Sequence, residues 1–365
     1  MSVLFQPAMI GSLEIKNRIV RSATAERLAD DFTGIPKPSL EDLWINLARG
    51  GSGLIISGHM YIHPSGKCHP EMTGIHSDEV IPIFQDIVKA VHKEGSKIAV
   101  QINHGGMQCS KEAVQGTIAP SDVDMPFLPQ AAREMKAEEI SLMIDSYAQA
   151  ARRAIEAGFD AVQLHGAHGY LINQFISPLV NRREDDWGGD FSRRLNFLKD
   201  VIKAVRAQVG IDFPVFIKFG LEDGIDGGLT VDVGARIVSE MGEMGLDAVE
   251  ISGGIQANNT KKGIKSKEKE AYFRPFAQEV RKFTNFPIIL VGGLRSKEIM
   301  EDVLESGDAD FISLCRPLIN EPNLPNLMRI GEKSFSDCIS SNKCWPRTMG
   351  EGIACKCPTL IHKSQ

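Results

Sequence analysis

The chain has 365 residues, of which 42% are hydrophobic, and its formal net charge is −6. A chain of this length can bury a large core without disulfides or a structural metal, and its acidic balance disfavours a nucleic-acid partner. No run of residues approaches the roughly 18 apolar positions that cross a membrane, and the N-terminus lacks the pattern of a signal peptide, so we expect a cytoplasmic protein.

Eight apolar, β-rich runs recur along the chain and alternate with segments of helical spacing. The runs span residues 17–23, 53–58, 97–103, 159–165, 213–220, 247–253, 286–293 and 309–316. Segments 137–158 and 191–210 between them place apolar residues three and four apart and end at glycine, as amphipathic helices do. Eight such units with strands apolar on both faces predict an α/β fold, the parallel (β/α)8 TIM barrel. A doubly wound sheet uses the same alternation, but the first strand is not followed by GxGxxG.

The domain organisation is simple. Residues 1–330 contain no linker rich in proline, glycine or serine, no repeat and no low-complexity tract. We therefore predict that residues 1–330 form one barrel domain. Residues 331–365 hold four of the seven cysteines and are predicted to form a short cysteine-containing C-terminal extension packed on the barrel.

Polar residues or glycines stand at nearly every predicted strand end, where a barrel of this type carries its reactive groups. The residues at these ends include Ala23, Thr24, Gly58, Gln101, His165, Lys218, Gly253, Gly254, Gly292, Gly293 and Arg316, all but Ala23 polar or glycine. The glycine pairs after the sixth and seventh strands leave backbone N–H groups open to an anion, and Arg316 adds a bidentate cation. This combination favours a phosphate-bearing ligand, although glycine pairs also serve simply to turn a chain tightly.

The stretch LHGAHGYLINQF (164–175) places His165, His168 and Tyr170 directly after the fourth predicted strand. On its own, an H-x-x-H pair fits a structural role or a partial metal site as well as it fits catalysis. A second group of histidines and a cysteine, in residues 59–69, also resembles a metal cluster. We interpret it instead as a polar loop that brings His59 near the active site.

Several motifs in the correct order resemble the old yellow enzyme family of FMN-dependent ene-reductases, over about residues 3–330. They are LFQPAMIGSLEIKNRIV, GLIISG, AVQINHGG, HGAHGYLINQFISPLVNRREDDWGGDFSRR and DFISLCRPLINEPNLP. The DDWGGD segment and the cysteine tail also resemble the barrel domain of 2,4-dienoyl-CoA reductase.

The resemblance implies FMN at the barrel mouth and NADH or NADPH as the hydride donor. The backbone near Ala23, Thr24 and Gly58 would face the isoalloxazine, and Gln101 would bind its pyrimidine edge. Lys218 would lie beside flavin N1 and O2, where a cation stabilises the negative charge of reduced flavin. The phosphate would be held by Gly253, Gly254, Gly292, Gly293 and Arg316.

The resemblance also implies a reaction. His165 and His168 would bind the carbonyl oxygen of an α,β-unsaturated substrate, in the manner of an oxyanion hole, and Tyr170 would protonate the α carbon. No metal is expected at the H-x-x-H pair, because no third ligand stands at a suitable spacing. We expect a homo-oligomer that acts on small molecules. Alternatives are an electron-transferring flavoprotein resembling 2,4-dienoyl-CoA reductase and a flavin-binding protein without turnover.

The C-terminal segment 338–357 contains Cys338, Cys344, Cys355 and Cys357. Relatives resembling 2,4-dienoyl-CoA reductase bind a [4Fe–4S] cluster in this region, but Ser341 stands where their second cysteine would be. The spacing leaves three interpretations, which are free thiols, a zinc site and a rearranged iron–sulfur cluster. We favour free thiols and do not expect a cluster. No FAD- and NAD(P)H-binding portion follows in the sequence, so we expect hydride to come directly from NAD(P)H.

Overall fold

The structure is a computed structural model that describes residues 2–256 and 262–357. Eight parallel strands follow one another round a closed barrel in chain order, and the last pairs with the first. They are β1 (Ile19–Arg21), β2 (Leu54–Tyr61), β3 (Lys97–Asn103), β4 (Ala161–Gly166), β5 (Val215–Gly220), β6 (Val249–Ser252), β7 (Ile288–Leu290) and β8 (Phe311–Leu314). The predicted fold class is confirmed. Only β2 and β4 run past their predicted ends, to Tyr61 and Gly166.

Helices connect the strands, and two more follow the last strand. They are α1 (Pro38–Arg49), α2 (Ile81–Lys93), α3 (Ala137–Glu156), α4 (Leu171–Ile176), α5 (Phe191–Arg194), α6 (Asn196–Val209), α7 (Val231–Glu240), α8 (Arg274–Arg281), α9 (Lys297–Glu305), α10 (Arg316–Asn320) and α11 (Leu324–Ile330). The predicted helix over 137–158 corresponds to α3, which buries Ile140, Met143 and Tyr147 at helical spacing. The helix predicted over 191–210 is instead divided into α5 and α6 at Leu195.

A short antiparallel hairpin, Ala8–Ile10 with Leu13–Ile15, covers the end of the barrel at which the strands begin. Its turn residue Ser12 donates a hydrogen bond to the carbonyl of Asp212, just before β5. The buried side chains of the hairpin pack with the apolar lower half of the barrel interior, including Leu54 and Phe216. The opposite end, where the strands finish, is therefore the end available to ligands.

Residues 331–357 lie along the barrel without forming a helix or a regular strand. Contacts with the barrel include a bridge between Phe335 and Ser296 and a 3.2 Å hydrogen bond from Ile353 N to the carbonyl of Glu26. The domain boundary at residue 330 remains a prediction, and residues 358–365 of the predicted extension lie outside the described residues. In the described part of the chain, no helix is both long and apolar enough to cross a membrane.

Candidate active site

A buried polar layer lies inside the barrel between its apolar lower half and its mouth. Lys218 on β5 and Glu250 on β6 form an ion pair at 2.8 Å, with both side chains at most 4% exposed. Gln163 donates to Glu250 at 2.9 Å and accepts from Gln101 at 2.6 Å. Burial raises the pKa of Glu250, but the charge and hydrogen bond of Lys218, together with hydrogen bonds from Ser22 and Gln163, outweigh that effect and hold the pKa below its usual value. The layer therefore keeps a fixed ion pair beneath the mouth.

Glu26, in the loop after β1, is another buried acidic side chain near the mouth. It accepts hydrogen bonds from the backbone N–H of Gly58 at 2.9 Å and from Trp44 Nε1 at 3.2 Å. The predicted flavin contact at Gly58 therefore cannot use that N–H, which already has a partner. Burial raises the pKa of Glu26 to about 7, although the charge of Arg21 opposes the shift.

Glu26 makes stability depend on pH in a predictable direction. Because its pKa is higher in the folded state, its contribution is complete below the unfolded pKa near 4.5 and is lost as pH rises through about 7. From the size of the shift, we expect the wild type to lose about 3 kcal/mol relative to Glu26→Gln between pH 4.5 and pH 8. Urea denaturation of both proteins across this range measures the difference. Parallel stability curves would contradict the assignment.

The three predicted catalytic side chains lie together at the C-terminal end of β4. The ring centroids of His165 and Tyr170 are 4.7 Å apart, and those of His165 and His168 are 5.0 Å apart. His168 Nε2 lies 2.8 Å from Ser252 Oγ at the end of β6. His165 Nδ1 accepts the N–H of Ala167 at 3.3 Å, which leaves the proton of a neutral ring on Nε2.

The turn that carries this cluster has unusual backbone geometry, with φ of +59° at His168 and +73° at Gly169. Histidine tolerates the left-handed region better than most residues. The turn is held by hydrogen bonds from His168 N to the carbonyl of Gly253 at 3.0 Å and from Gly169 N to Asn173 Oδ1 at 2.9 Å. Asp223, fully buried, accepts from Asn173 Nδ2 at 3.3 Å. Sequence reasoning missed Asn173 on α4 and Asp223 in the loop after β5, because their roles depend on contacts between segments that are distant in sequence.

The cluster is uncharged near neutral pH. Burial, reinforced by the charge of Lys218, lowers the pKa of His168 to about 3, and burial lowers the pKa of His165 well below its usual value. Burial likewise raises the pKa of the Tyr170 hydroxyl well above 10. The site therefore presents two neutral imidazoles and a protonated phenol, which can donate hydrogen bonds without adding charge.

His59 packs against this cluster, in agreement with its predicted position near the active site. Its ring centroid is 5.2 Å from that of Tyr170 and 6.0 Å from that of His165. However, His59 belongs to β2 and not to a loop, because a bulge between Ile56 and His59 lets the strand continue. Within residues 2–256 and 262–357, no three or more histidine, cysteine or acidic side chains are placed to hold a metal ion.

A cleft adjoins the cluster at His168 and Ser252 and the polar layer at Lys218. Its lining includes several residues predicted to bind the cofactor, which are Ala23, Thr24, Lys218, Gly292, Gly293 and Arg316. Gly292 and Gly293 have φ of +129° and +73°, values that residues with a side chain rarely adopt. The C-terminal extension supplies one wall, where Asn342 Oδ1 accepts a hydrogen bond from Arg316 Nη1 at 2.6 Å. Tyr272 also hydrogen-bonds Arg316.

Gly254 stays a predicted member of the phosphate site, but its predicted open N–H is not observed. The N–H of Gly254 is not open to an anion, since it donates to the carbonyl of Glu222 at 2.7 Å. A Cβ at Gly254 would lie only 2.4 Å from Asp223 Oδ1, so glycine is needed for close loop packing. The sequence left two roles open for these glycines, binding an anion or turning the chain tightly. The contacts of Gly254 fit the tight turn.

These features define a class of protein, a (β/α)8 barrel whose mouth joins a cofactor cleft to a cluster of neutral proton donors. A sequence profile of the NADH:flavin oxidoreductase / NADH oxidase family matches residues 3–333, and the chain belongs to this family. Membership confirms FMN and NADH or NADPH as the cofactors predicted from the sequence.

Individual relatives support this assignment. NADH oxidase of Thermoanaerobacter brockii is 36% identical over 343 residues, which make up 93% of this chain but only 52% of the relative. This chain thus spans about half the length of that protein. NADPH dehydrogenase of Geobacillus sp. (strain WCH70) is 34% identical over 325 residues, or 89% of this chain and 93% of the relative.

A solved structure supports the same assignment. The old yellow enzyme homologue from Zymomonas mobilis matches with a TM-score of 0.79 at 29% identity, over 93% of this chain and 95% of that one. The resemblance to the old yellow enzyme family inferred from the sequence motifs is confirmed.

Proposed function

We propose that the protein is an FMN-dependent NAD(P)H oxidoreductase that reduces activated C=C bonds of α,β-unsaturated carbonyl compounds. The observation that carries the proposal is the meeting of His165, His168 and Tyr170 beside the cofactor cleft, all in neutral form. Two neutral donors suit a carbonyl oxygen that gains negative charge during reaction, and a protonated phenol suits the transfer of a proton to carbon.

The residues of the cleft fit FMN. Arg316, fixed by Asn342, offers a guanidinium to the phosphate, and Gly292 and Gly293 allow the backbone to approach it closely. Lys218 provides a buried cation where the flavin pyrimidine edge would lie, and Gln101 reaches the same layer. When bound, FMN supplies the hydride that it has received from NADH or NADPH.

The chain's own groups would then act on the substrate in three ways. His165, with its proton on Nε2, donates to the carbonyl oxygen of the substrate. His168 Nε2 is held by Ser252 Oγ at 2.8 Å; with Ser252 as the donor of this bond, the His168 proton would lie on Nδ1 and provide the second donor. Tyr170 gives its hydroxyl proton to the α carbon, and the buried surroundings exclude water from that step.

Arg316 supplies a test of the phosphate assignment. Removing a charged hydrogen-bond partner costs roughly 1.5–3 kcal/mol, so Arg316→Ala should weaken FMN binding about ten- to hundredfold. FMN fluorescence titrated with FMN-free protein measures the affinity. Riboflavin, which lacks the phosphate, should bind both proteins equally, and Arg329→Ala on α11 should bind FMN as the wild type does. An equal loss of riboflavin affinity would count against the assignment.

The proposed activity has a kinetic signature. Because NAD(P)H and the enone would each react at the same cofactor in turn, steady-state rates with NADH or NADPH and 2-cyclohexenone should give parallel double-reciprocal lines. Intersecting lines would show that both substrates bind together, and lack of any enone turnover by FMN-loaded protein would overturn the proposal.

A further inference from the structure

The C-terminal extension carries a basic pocket that takes no part in the steps described so far. Five residues line this pocket, and these are Asn342, Lys343, Trp345, Arg347 and Lys356. Of the three cations, only Lys356 forms an ion pair within the described residues, with Glu351 at 2.8 Å. Three positive charges therefore face one carboxylate, in a chain whose formal net charge is −6. The excess positive charge favours an anionic ligand.

The basic pocket adjoins the cofactor cleft. Trp345 and Asn342 line both the pocket and the cleft, and the cleft also contains Lys218 and Arg316. Asn342 Oδ1 accepts the 2.6 Å hydrogen bond from Arg316 Nη1. A ligand that extends out of the cleft past Trp345 therefore meets the cations of the basic pocket.

Trp345 presents an open aromatic surface at this junction. It is 58% exposed. The guanidinium of Arg27 lies over its ring, with Cζ 5.6 Å from the ring centroid, and Lys356 Nζ donates to the backbone carbonyl of Trp345 at 3.0 Å. These contacts hold the residue in place and leave more than half of its surface open. An indole held in this way suits the stacking of a purine base.

We propose that the basic pocket binds the adenosine diphosphate portion of NADH or NADPH, with the adenine on Trp345 and the pyrophosphate beside Lys343 and Arg347. A planar base matches the exposed indole, and phosphate oxygens match cations that form no ion pair. The nicotinamide, at the other end of the same molecule, would then lie in the cleft. The inference rests on the proposed function only in that NADH or NADPH supplies the hydride, and it does not depend on the enone.

The chain offers matched controls away from this site. Phe283, between α8 and β7, is an aromatic residue that is 46% exposed. It precedes β7 and so lies at the end of the barrel opposite the mouth. Phe283→Ala removes an exposed ring, as Trp345→Ala does, but far from the basic pocket. Lys203, exposed on α6, is the corresponding control for a lost positive charge.

Titration calorimetry with ADP tests the pocket by binding alone, since FMN-loaded protein has its cleft occupied and ADP carries no nicotinamide. Trp345→Ala and Arg347→Ala should each weaken ADP binding about tenfold, the usual effect of losing one stacking or charged partner. Trp345→Phe should keep most of the affinity, because it keeps a ring for the adenine. Phe283→Ala and Lys203→Ala should match the wild type. Wild-type protein that does not bind ADP, or unchanged affinity in both site variants, would overturn the inference.

Anaerobic stopped-flow absorbance supplies a second readout. It compares flavin reduction by NADPH with reduction by reduced nicotinamide mononucleotide, which lacks the adenosine and one phosphate. In Trp345→Ala, the NADPH concentration for half-maximal rate should rise about tenfold while the limiting rate stays unchanged. The mononucleotide should reduce Trp345→Ala and the wild type alike, and equal changes with both donors would overturn the inference. If neither donor reduced the wild type, the proposed function would fail, whereas the ADP titration would still decide whether the pocket binds this portion.

Discussion

Replacing Tyr170 by phenylalanine should slow reoxidation of the enzyme by an enone about 10²- to 10⁴-fold, the usual contribution of a general acid. Burial keeps the pKa of this hydroxyl well above 10, so the proton is present at all physiological pH values. Reduction by NADH or NADPH requires no proton from Tyr170 and should keep its rate. Anaerobic stopped-flow absorbance measures the two half-reactions separately.

The matching control is Tyr147→Phe, which removes a buried hydroxyl from α3 on the outside of the barrel. It should leave both half-reactions at wild-type rates. If Tyr170→Phe slowed both half-reactions to the same extent, the hydroxyl would be supporting the structure of the site, and a role in proton transfer would be refuted.

Replacing Lys218 by methionine should destabilise the FMN-free protein by about 3–5 kcal/mol, the usual cost of leaving one member of a buried ion pair unpaired. Glu250 would remain fully buried without its cation, and only neutral donors such as Gln163 and Ser22 would face it. Urea denaturation of the FMN-free proteins measures the loss without the stabilisation that bound cofactor adds.

The control removes both charges. Lys218→Met combined with Glu250→Gln leaves no unpaired buried charge, and the Gln oxygen can still accept from Ser22 and Ser313 in place of the carboxylate. The double variant should recover most of the lost stability while binding FMN less tightly than the wild type. A double variant no more stable than Lys218→Met would show that the ion pair is not the source of the loss.

The fold was largely predictable because every barrel strand is buried on both faces. Such strands appear as short apolar runs, and the alternation with helices then leaves few topologies. The N-terminal hairpin was missed because its strands, Ala8–Ile10 and Leu13–Ile15, are too short to show a period. The extension of β2 to Tyr61 depends on a bulge before His59, and no pattern in the local sequence indicates that bulge.

The site residues that could be predicted are those at the C-terminal ends of strands, where a barrel carries its reactive groups. His165, His168 and Tyr170 converge because one turn after β4 carries all three. Glu250 was missed, although the sequence held the signal for it. Glu250 lies in the apolar run DAVEIS and Lys218 in the apolar run FPVFIKFG, and two opposite charges buried on neighbouring strands are expected to pair. Asn342 could not be found in this way, because its contact with Arg316 depends on the path of a segment without regular structure.

The most direct test of the proposed function is the absorbance spectrum of the purified protein under anaerobic conditions, recorded as NADH or NADPH and then 2-cyclohexenone are added. The proposed function predicts a yellow protein that bleaches with the nicotinamide and regains its colour as cyclohexanone forms in equal amount. A protein that bleaches but stays colourless with the enone, and recovers only when oxygen is admitted, would contradict it.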